Sequence, residues 1–229
     1  MKQTAARAFK DTIPVLTGYI SLGIGFGVLL KTAGYGLPVA FLMSFAIYAG
    51  ALQYVAVGLL SGGASMLTVA VTAFMVNFRH LFYGLSLIEK YRDTGKYKPY
   101  LALSLTDETY SLMCADHEGI PEKERTRYYF LVSLFDQIYW VGGSCIGSLL
   151  GSVVRFNTEG IDFALSALFI TIFVDQWMKS EKHLPAIIGV GVSAICLIIF
   201  GSDNFLIPAM IIITLALLSM NRKEAKSDE

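Results

Sequence analysis

The chain has 229 residues, 55% of them hydrophobic and only 16% charged, with a formal net charge of zero and a mean hydropathy of +0.58. A soluble domain carries about a quarter charged residues, and here the charges cluster at 89–98, 116–127, 179–183 and 222–229, between long apolar runs. That pattern specifies an all-α polytopic membrane protein. Runs without strict alternation exclude a porin-type barrel, and zero net charge offers no footing for nucleic acid.

Taken in order, Lys2, Arg7 and Lys10 precede an apolar run at 13–30 that is too long for a signal-peptide core, so it reads as the first span. Gly23 and Gly27 share one of its faces and allow another backbone to pack closely. The second span is 37–60. Gly50 at its middle is a candidate helix break, and Gln53 puts an amide in the apolar core. Span three, 65–88, carries Asn77, Arg79 and His80 with no other charge between Ser65 and Glu89. Arg79 then lies about 15 Å from either polar end, half the depth of a hydrocarbon core. A guanidinium at that depth faces a protein interior or a water-filled cavity.

The segment 99–113 is apolar at both ends but holds Thr106-Asp107-Glu108-Thr109 at its centre. It reads as a short shielded span, a half-membrane segment or a surface amphipathic helix. Span five, 128–150, contains Asp136, Gln137 and Trp140 and a ladder of Gly143, Gly147 and Gly151. Spans at 163–178, 184–200 and 205–220 follow, with Asp175 and Trp177 read as interfacial anchors. The expected division is a cytoplasmic segment 1–12, one permease domain 13–220 and a charged tail 221–229 without fixed structure, with seven to eight transmembrane segments in all.

A shift of 120 residues places Gly23, Gly27, Leu29 and Leu30 on Gly143, Gly147, Leu149 and Leu150, a candidate repeat of two halves. Basic residues near 2–10 and 222–226 place both termini in the cytoplasm. With eight spans, the loop 89–98 lies outside despite Lys90, Arg92, Lys96 and Lys98, which is a conflict.

The buried polar residues Gln53, Asn77, Arg79, His80, Asp107, Glu108, Asp136 and Gln137 outline a substrate or proton path. Arg79 suits a carboxylate in bidentate fashion. Asp107 or Glu108 suits an ammonium group or a carried proton, and His80 suits a relay near neutral pH. The alternative is an Arg79–acid pair that only locks two helices. An intramembrane enzyme finds no support, since HExxH, GxSxG and phosphate-binding glycine motifs are missing. No metal or cofactor is expected. Cys114, Cys145 and Cys196 read as small apolar filler.

Residues 46–54 (Ala-Ile-Tyr-Ala-Gly-Ala-Leu-Gln-Tyr), 77–84 (Asn-Phe-Arg-His-Leu-Phe-Tyr-Gly) and 105–108 (Leu-Thr-Asp-Glu) resemble the AzlC family of branched-chain amino acid exporters. Trp140 and the glycine ladder extend the resemblance over nearly the whole chain. It implies an inner-membrane permease that exports valine, leucine, isoleucine and in some cases methionine. It also implies a small AzlD-type membrane subunit as partner and a polar motif at Asn77, Arg79, His80, Asp107 and Glu108. No Walker A motif is present, so uphill transport needs an ion gradient or a partner, and drive by the proton motive force is expected.

Overall fold

The computed structural model describes residues 2–115, 120–153, 183–201 and 205–225, with residues 170, 173–174, 177–178 and 180 between them. The chain forms two compact units, Met1–Ile161 and Asp162–Glu229. Every element among the described residues is helical.

The first unit is built on two long helices, α1 (Lys2–Thr32) and α7 (Glu122–Val153). Glycine decides how closely they meet. A Cβ on Gly23 would stand 3.0 Å from the Trp140 carbonyl, one on Gly143 would stand 2.9 Å from the Ile20 carbonyl, and one on Gly27 or Gly147 would collide with the facing backbone. The two helices run parallel, because contacts climb together along both. Asp11 accepts from the Tyr128 hydroxyl, Thr12 meets Tyr139, Tyr19 meets Trp140, and Lys31 lies on Gly151. Gly23 faces Gly143 and Gly27 faces Gly147, each pair 120 residues apart (143 − 23 and 147 − 27). The end holding both N-termini is called the near end below.

Helix α1 passes residue 12 without interruption, and Ala8 and Thr12 are fully buried. Ala8 joins a near-end core with Leu87, Tyr91, Leu101, Met113, Tyr128 and Val132.

Residues 37–60 do not form one crossing. Helix α2 (Leu37–Leu42) starts beside the far end of α1, where the Tyr35 amide donates to the Leu30 carbonyl. It continues as a π-helical turn, Met43–Ile47, until the Phe45 carbonyl accepts from Gln137 at mid-depth. There Tyr48 turns left-handed (φ 43°), Ala49 is extended, and α3 (Gly50–Ser61) begins. Gly50 lies on the Trp140 ring, and four residues on, Tyr54 reaches Leu22 and Phe26, which is higher on α1. So α3 climbs back toward the far end. Helix α4 (Met66–Ser86) follows, capped by the Ser65 hydroxyl on the Thr68 amide. Its 21 residues span about 30 Å and end at Leu87 in the near-end core, so it starts far. The α2–α3 pair is therefore a half-depth hairpin. Residues 37–60 are expected from sequence as one span with a candidate break at Gly50; the helix is interrupted at Tyr48–Ala49, directly before Gly50, and the left-handed turn there reverses the chain.

A second hairpin enters from the near end. Helix α5 (Lys98–Leu103) rises until the Tyr100 hydroxyl reaches Gln137. After Ser104–Thr106, α6 (Asp107–Cys114) descends until the Met113 carbonyl accepts from Lys90. Leu101 and Met113 both belong to the near-end core. Of the three sequence readings of 99–113, the half-depth segment describes this path. The charged loop 89–98 now lies at the same end as Lys2, Arg7 and Lys10, since Leu87 and Tyr91 pack with Ala8 and Tyr128. That removes the charge conflict, which arose from counting 37–60 as a crossing.

Two helices, Gln3–Thr32 and Met66–Ser86, are by length and apolarity alone sufficient to cross a bilayer among the described residues. In the second unit, α8 (Leu184–Phe200) packs on α9 (Leu206–Ala225), and His183 stacks on Trp177 with ring centroids 4.3 Å apart. Helix α9 continues through 221–225, so the start of the tail is helical rather than irregular. The expected span 163–178 with Asp175 lies largely outside the described residues, as do 116–119 and 226–229.

Candidate functional site

The two hairpin tips meet on α7 around Asp136, Gln137 and Trp140. Gln137 bonds both: its Oε1 accepts from Tyr100 at 2.8 Å and its Nε2 donates to the Phe45 carbonyl at 3.2 Å. Gln53 is fully buried and braces the far-end hairpin. Its Nε2 donates to Ser44 at 3.1 Å and its Oε1 accepts from the Trp140 indole at 2.8 Å. Gly50 is needed because a Cβ would stand 2.9 Å from the Trp140 ring.

The near-end hairpin carries the charge. Thr106 caps α6, its hydroxyl accepting from the Thr109 amide at 3.2 Å, and Asp107 and Glu108 occupy the first turn, where acids favour a helix N-terminus. Asp107 Oδ2 pairs with Arg79 Nη1 at 2.8 Å, both side chains about one-third exposed. Arg79 Nε and Asp107 Oδ1 are buried with no hydrogen-bond partner among the described residues. Glu108 is exposed, and its Oε2 accepts from the Tyr19 hydroxyl at 2.7 Å. Asp136 is fully buried; Thr109 donates to its Oδ2 at 2.8 Å, and its Oδ1 has no hydrogen-bond partner among the described residues.

Of the residues singled out from sequence, Gln53, Arg79, Asp107, Glu108 and Asp136 come together with Gln137 at the tips. His80 lies within electrostatic range of Arg79, Asp107 and Glu108. His80 Nδ1 lies 3.1 Å from the Asn77 carbonyl one turn back on α4, and its ring sits edge-on to Tyr83. Gly23, Gly27, Gly143, Gly147 and Gly151 line the α1–α7 contact. The structure adds Tyr19 to the site and gives Thr106 and Thr109, noted in the sequence only as neighbours of the two acids, hydrogen-bonding parts in it. A threonine followed by two acids is a helix-start signal, so the break at 104–106 was readable. Tyr19 carries no such mark within its apolar run.

Among the described residues no cluster of three or more His, Cys, Asp or Glu fits a metal. Chemically, the site offers one ion pair with an unused donor and an unused acceptor, beside a fully buried acid.

The AzlC protein family model matches residues 14–154, more than half the chain. The branched-chain amino acid transport protein AzlC of Bacillus subtilis is 42% identical over 223 residues, covering 97% of this chain and 87% of that protein. An uncharacterized membrane protein of Helicobacter pylori is 40% identical over 95% of this chain and 96% of its own length. The inner membrane protein YgaZ of Escherichia coli is 27% identical over 76% of this chain and 73% of its own. No solved structure matches. All three relatives are named as membrane or transport proteins, and the chain belongs to the AzlC family.

Proposed function

We propose that this chain is the large subunit of a non-enzymatic bacterial inner-membrane exporter of branched-chain amino acids, with Arg79 and Asp107 as its zwitterion site. The observation that carries the reading is the ion pair at the tip of the near-end hairpin. Each partner keeps one buried atom unpaired among the described residues, Arg79 Nε and Asp107 Oδ1. An amino acid entering between them supplies what each lacks. Its carboxylate accepts from Nε and Nη in the bidentate manner of a guanidinium, and its ammonium donates to the aspartate. Leaving those atoms unpaired costs about 1–3 kcal/mol each, which favours occupation. The name of the Bacillus relative supports branched-chain substrates for this chain; valine, leucine, isoleucine and methionine are the set to test.

Further parts of the reading are that the proton motive force drives export, that a small AzlD-type subunit completes the transporter, and that both termini face the cytoplasm. The near end is then cytoplasmic, which agrees with its basic residues. The seven to eight apolar segments form one permease domain in which two segments are half-depth hairpins, and the 120-residue register of α1 on α7 supports a two-half origin.

Efflux of labelled valine from preloaded cells lacking their own exporters tests this. The chain is expressed alone, with the small subunit, and with the small subunit as Arg79→Ala. Efflux that needs the partner and is lost in Arg79→Ala is expected. Normal efflux from Arg79→Ala, with the protein in the membrane, removes Arg79 from the site. No valine movement in any arm removes the substrate.

A further inference from the structure

Four short oxygen–oxygen contacts run in series from the exposed Glu108 to the buried Asp136. Glu108 Oε2 lies 2.7 Å from Tyr19 Oη, which lies 2.6 Å from Thr106 Oγ1. Thr106 Oγ1 lies 3.0 Å from Thr109 Oγ1, which lies 2.8 Å from Asp136 Oδ2. Each distance is that of a hydrogen bond, and each hydrogen bond needs one proton between its oxygens. The series has four links and three hydroxyls. With both carboxylates ionised, one link would hold no proton and would press two lone pairs together. One more proton therefore belongs to the series, and only a carboxyl at one end can supply it.

We propose that Glu108, Tyr19, Thr106, Thr109 and Asp136 form a proton relay in which the two acids share one transferable proton. With the proton on Asp136, the donors point Asp136 to Thr109 to Thr106 to Tyr19 to Glu108. With the proton on Glu108, every donor points the other way. Passing from one state to the other turns over all three hydroxyls and moves one net proton between an exposed acid and an acid closed off at the hairpin tips. Each hydroxyl oxygen gives one proton and takes one, while one carboxyl loses a proton and the other gains it, so the total is unchanged. The relay rests on the transport reading for its purpose, and it places the coupling proton on Glu108 and Asp136 rather than on Asp107, which Arg79 holds.

The groups facing Asp136 fit a shared proton. Tyr48 from the far-end hairpin, Tyr100 from α5, Tyr19 from α1 and Glu108 from α6 surround it electrostatically. None of these is a cation, so none holds Asp136 ionised. Arg79 is instead paired with Asp107, its Nη1 2.8 Å from Oδ2. Thr106 and Thr109 both belong to the short near-end hairpin, so withdrawing its tip breaks the series between Tyr19 and Asp136 and leaves the proton on one side.

Thr109→Val tests the series, because it keeps the shape and removes the hydroxyl that bonds Asp136, and Thr109→Ser restores it. In proteoliposomes holding the full chain and the small subunit, valine flux in wild type and Thr109→Ser is expected to rise with an imposed proton gradient. In Thr109→Val that response is lost. A gradient response equal to wild type in Thr109→Val overturns the relay while leaving transport intact; no flux in wild type overturns the transport reading instead. Infrared difference spectroscopy of the purified chain reads the shared proton without substrate. A protonated-carboxyl stretch at neutral pH that vanishes in the Glu108→Gln, Asp136→Asn double variant is expected. Its absence from wild type overturns the shared proton.

Discussion

The two half-depth hairpins reach the same residues of α7 from opposite ends, yet they are held there in different ways. The far-end hairpin has a twelve-residue return helix, α3, and its fixings are neutral: Gln53 on Ser44 and Trp140, Gly50 on the Trp140 ring, and Tyr54 on the Leu22 carbonyl. The near-end hairpin is shorter, with helices of six and eight residues, and its tip is tied by an ion pair and by hydroxyls that end on acids. Amide and indole bonds are indifferent to protons, whereas bonds to carboxylates are not. The difference assigns the far-end hairpin to positioning and the near-end hairpin to the step that responds to charge. Both depend on the α1–α7 pillar.

The largest expected effect removes that pillar. In Gly147→Leu a side chain must enter where even a Cβ collides with the Ile24 backbone, which cannot rotate away as a side chain would. Overpacking of this kind costs about 3 kcal/mol or more, and the purified variant should lose its cooperative melt in detergent. Gly142→Ala is the contrast on the same helix. A Cβ there meets nothing within 4 Å, and alanine favours the helix by up to about 1 kcal/mol. A Gly147→Leu protein that melts with wild type would dissolve the shared pillar and, with it, the common level of the two tips.

The next effect separates the hairpins. Gln137→Leu removes one bond to each, worth about 0.5–1.5 kcal/mol apiece. In a background without Cys114, Cys145 and Cys196, thiols placed at Ala49 and Leu105 report the two tips, both buried in the native structure. Labelling at both should rise in Gln137→Leu. Gln53→Leu should raise it at position 49 alone, and Tyr100→Phe at position 105 alone. Exposure of only one tip in Gln137→Leu would show that the amide does not clamp both.

These hairpins mark the boundary of what the residues reveal on their own. The long helices were legible because an apolar run of about twenty residues folds as a helix in or out of context. The glycine contact was legible because Gly23, Gly27, Gly143 and Gly147 repeat at helical spacing. Arg79 demanded an acid, and Asp107 stands in the one acidic pair that an apolar segment offered. Depth was not legible. A chain that goes halfway and returns has the same composition as one that crosses; Gly50 signals an interruption at 37–60, but the residue that turns the chain back is Tyr48, which has no special liking for a left-handed backbone. The misplaced charge of loop 89–98 was the sequence's own objection to a crossing there. The clamping part of Gln137 was hidden for the same reason: its partners, Tyr100 and the Phe45 carbonyl, become neighbours only after both hairpins fold back.

The smallest effect probes the far-end tip itself. Tyr48 is the one non-glycine residue with positive φ among the described residues, and a left-handed conformation costs an L-residue about 1–2 kcal/mol. Its buried ring, 5% exposed, offsets that cost. Substitution separates the two contributions. Tyr48→Ala loses the ring and keeps the strain, while Tyr48→Gly loses the ring and the strain together, so glycine should melt higher than alanine by the equivalent of about 1 kcal/mol. In an ordinary helix the order is reversed by about the same amount. At the near-end tip no residue from Ser104 to Thr106 is left-handed, so Leu105→Gly should gain nothing over Leu105→Ala. Alanine equal to or better than glycine at position 48 would mean that the turn is not strained, and the far-end hairpin would then be as free to open as its partner.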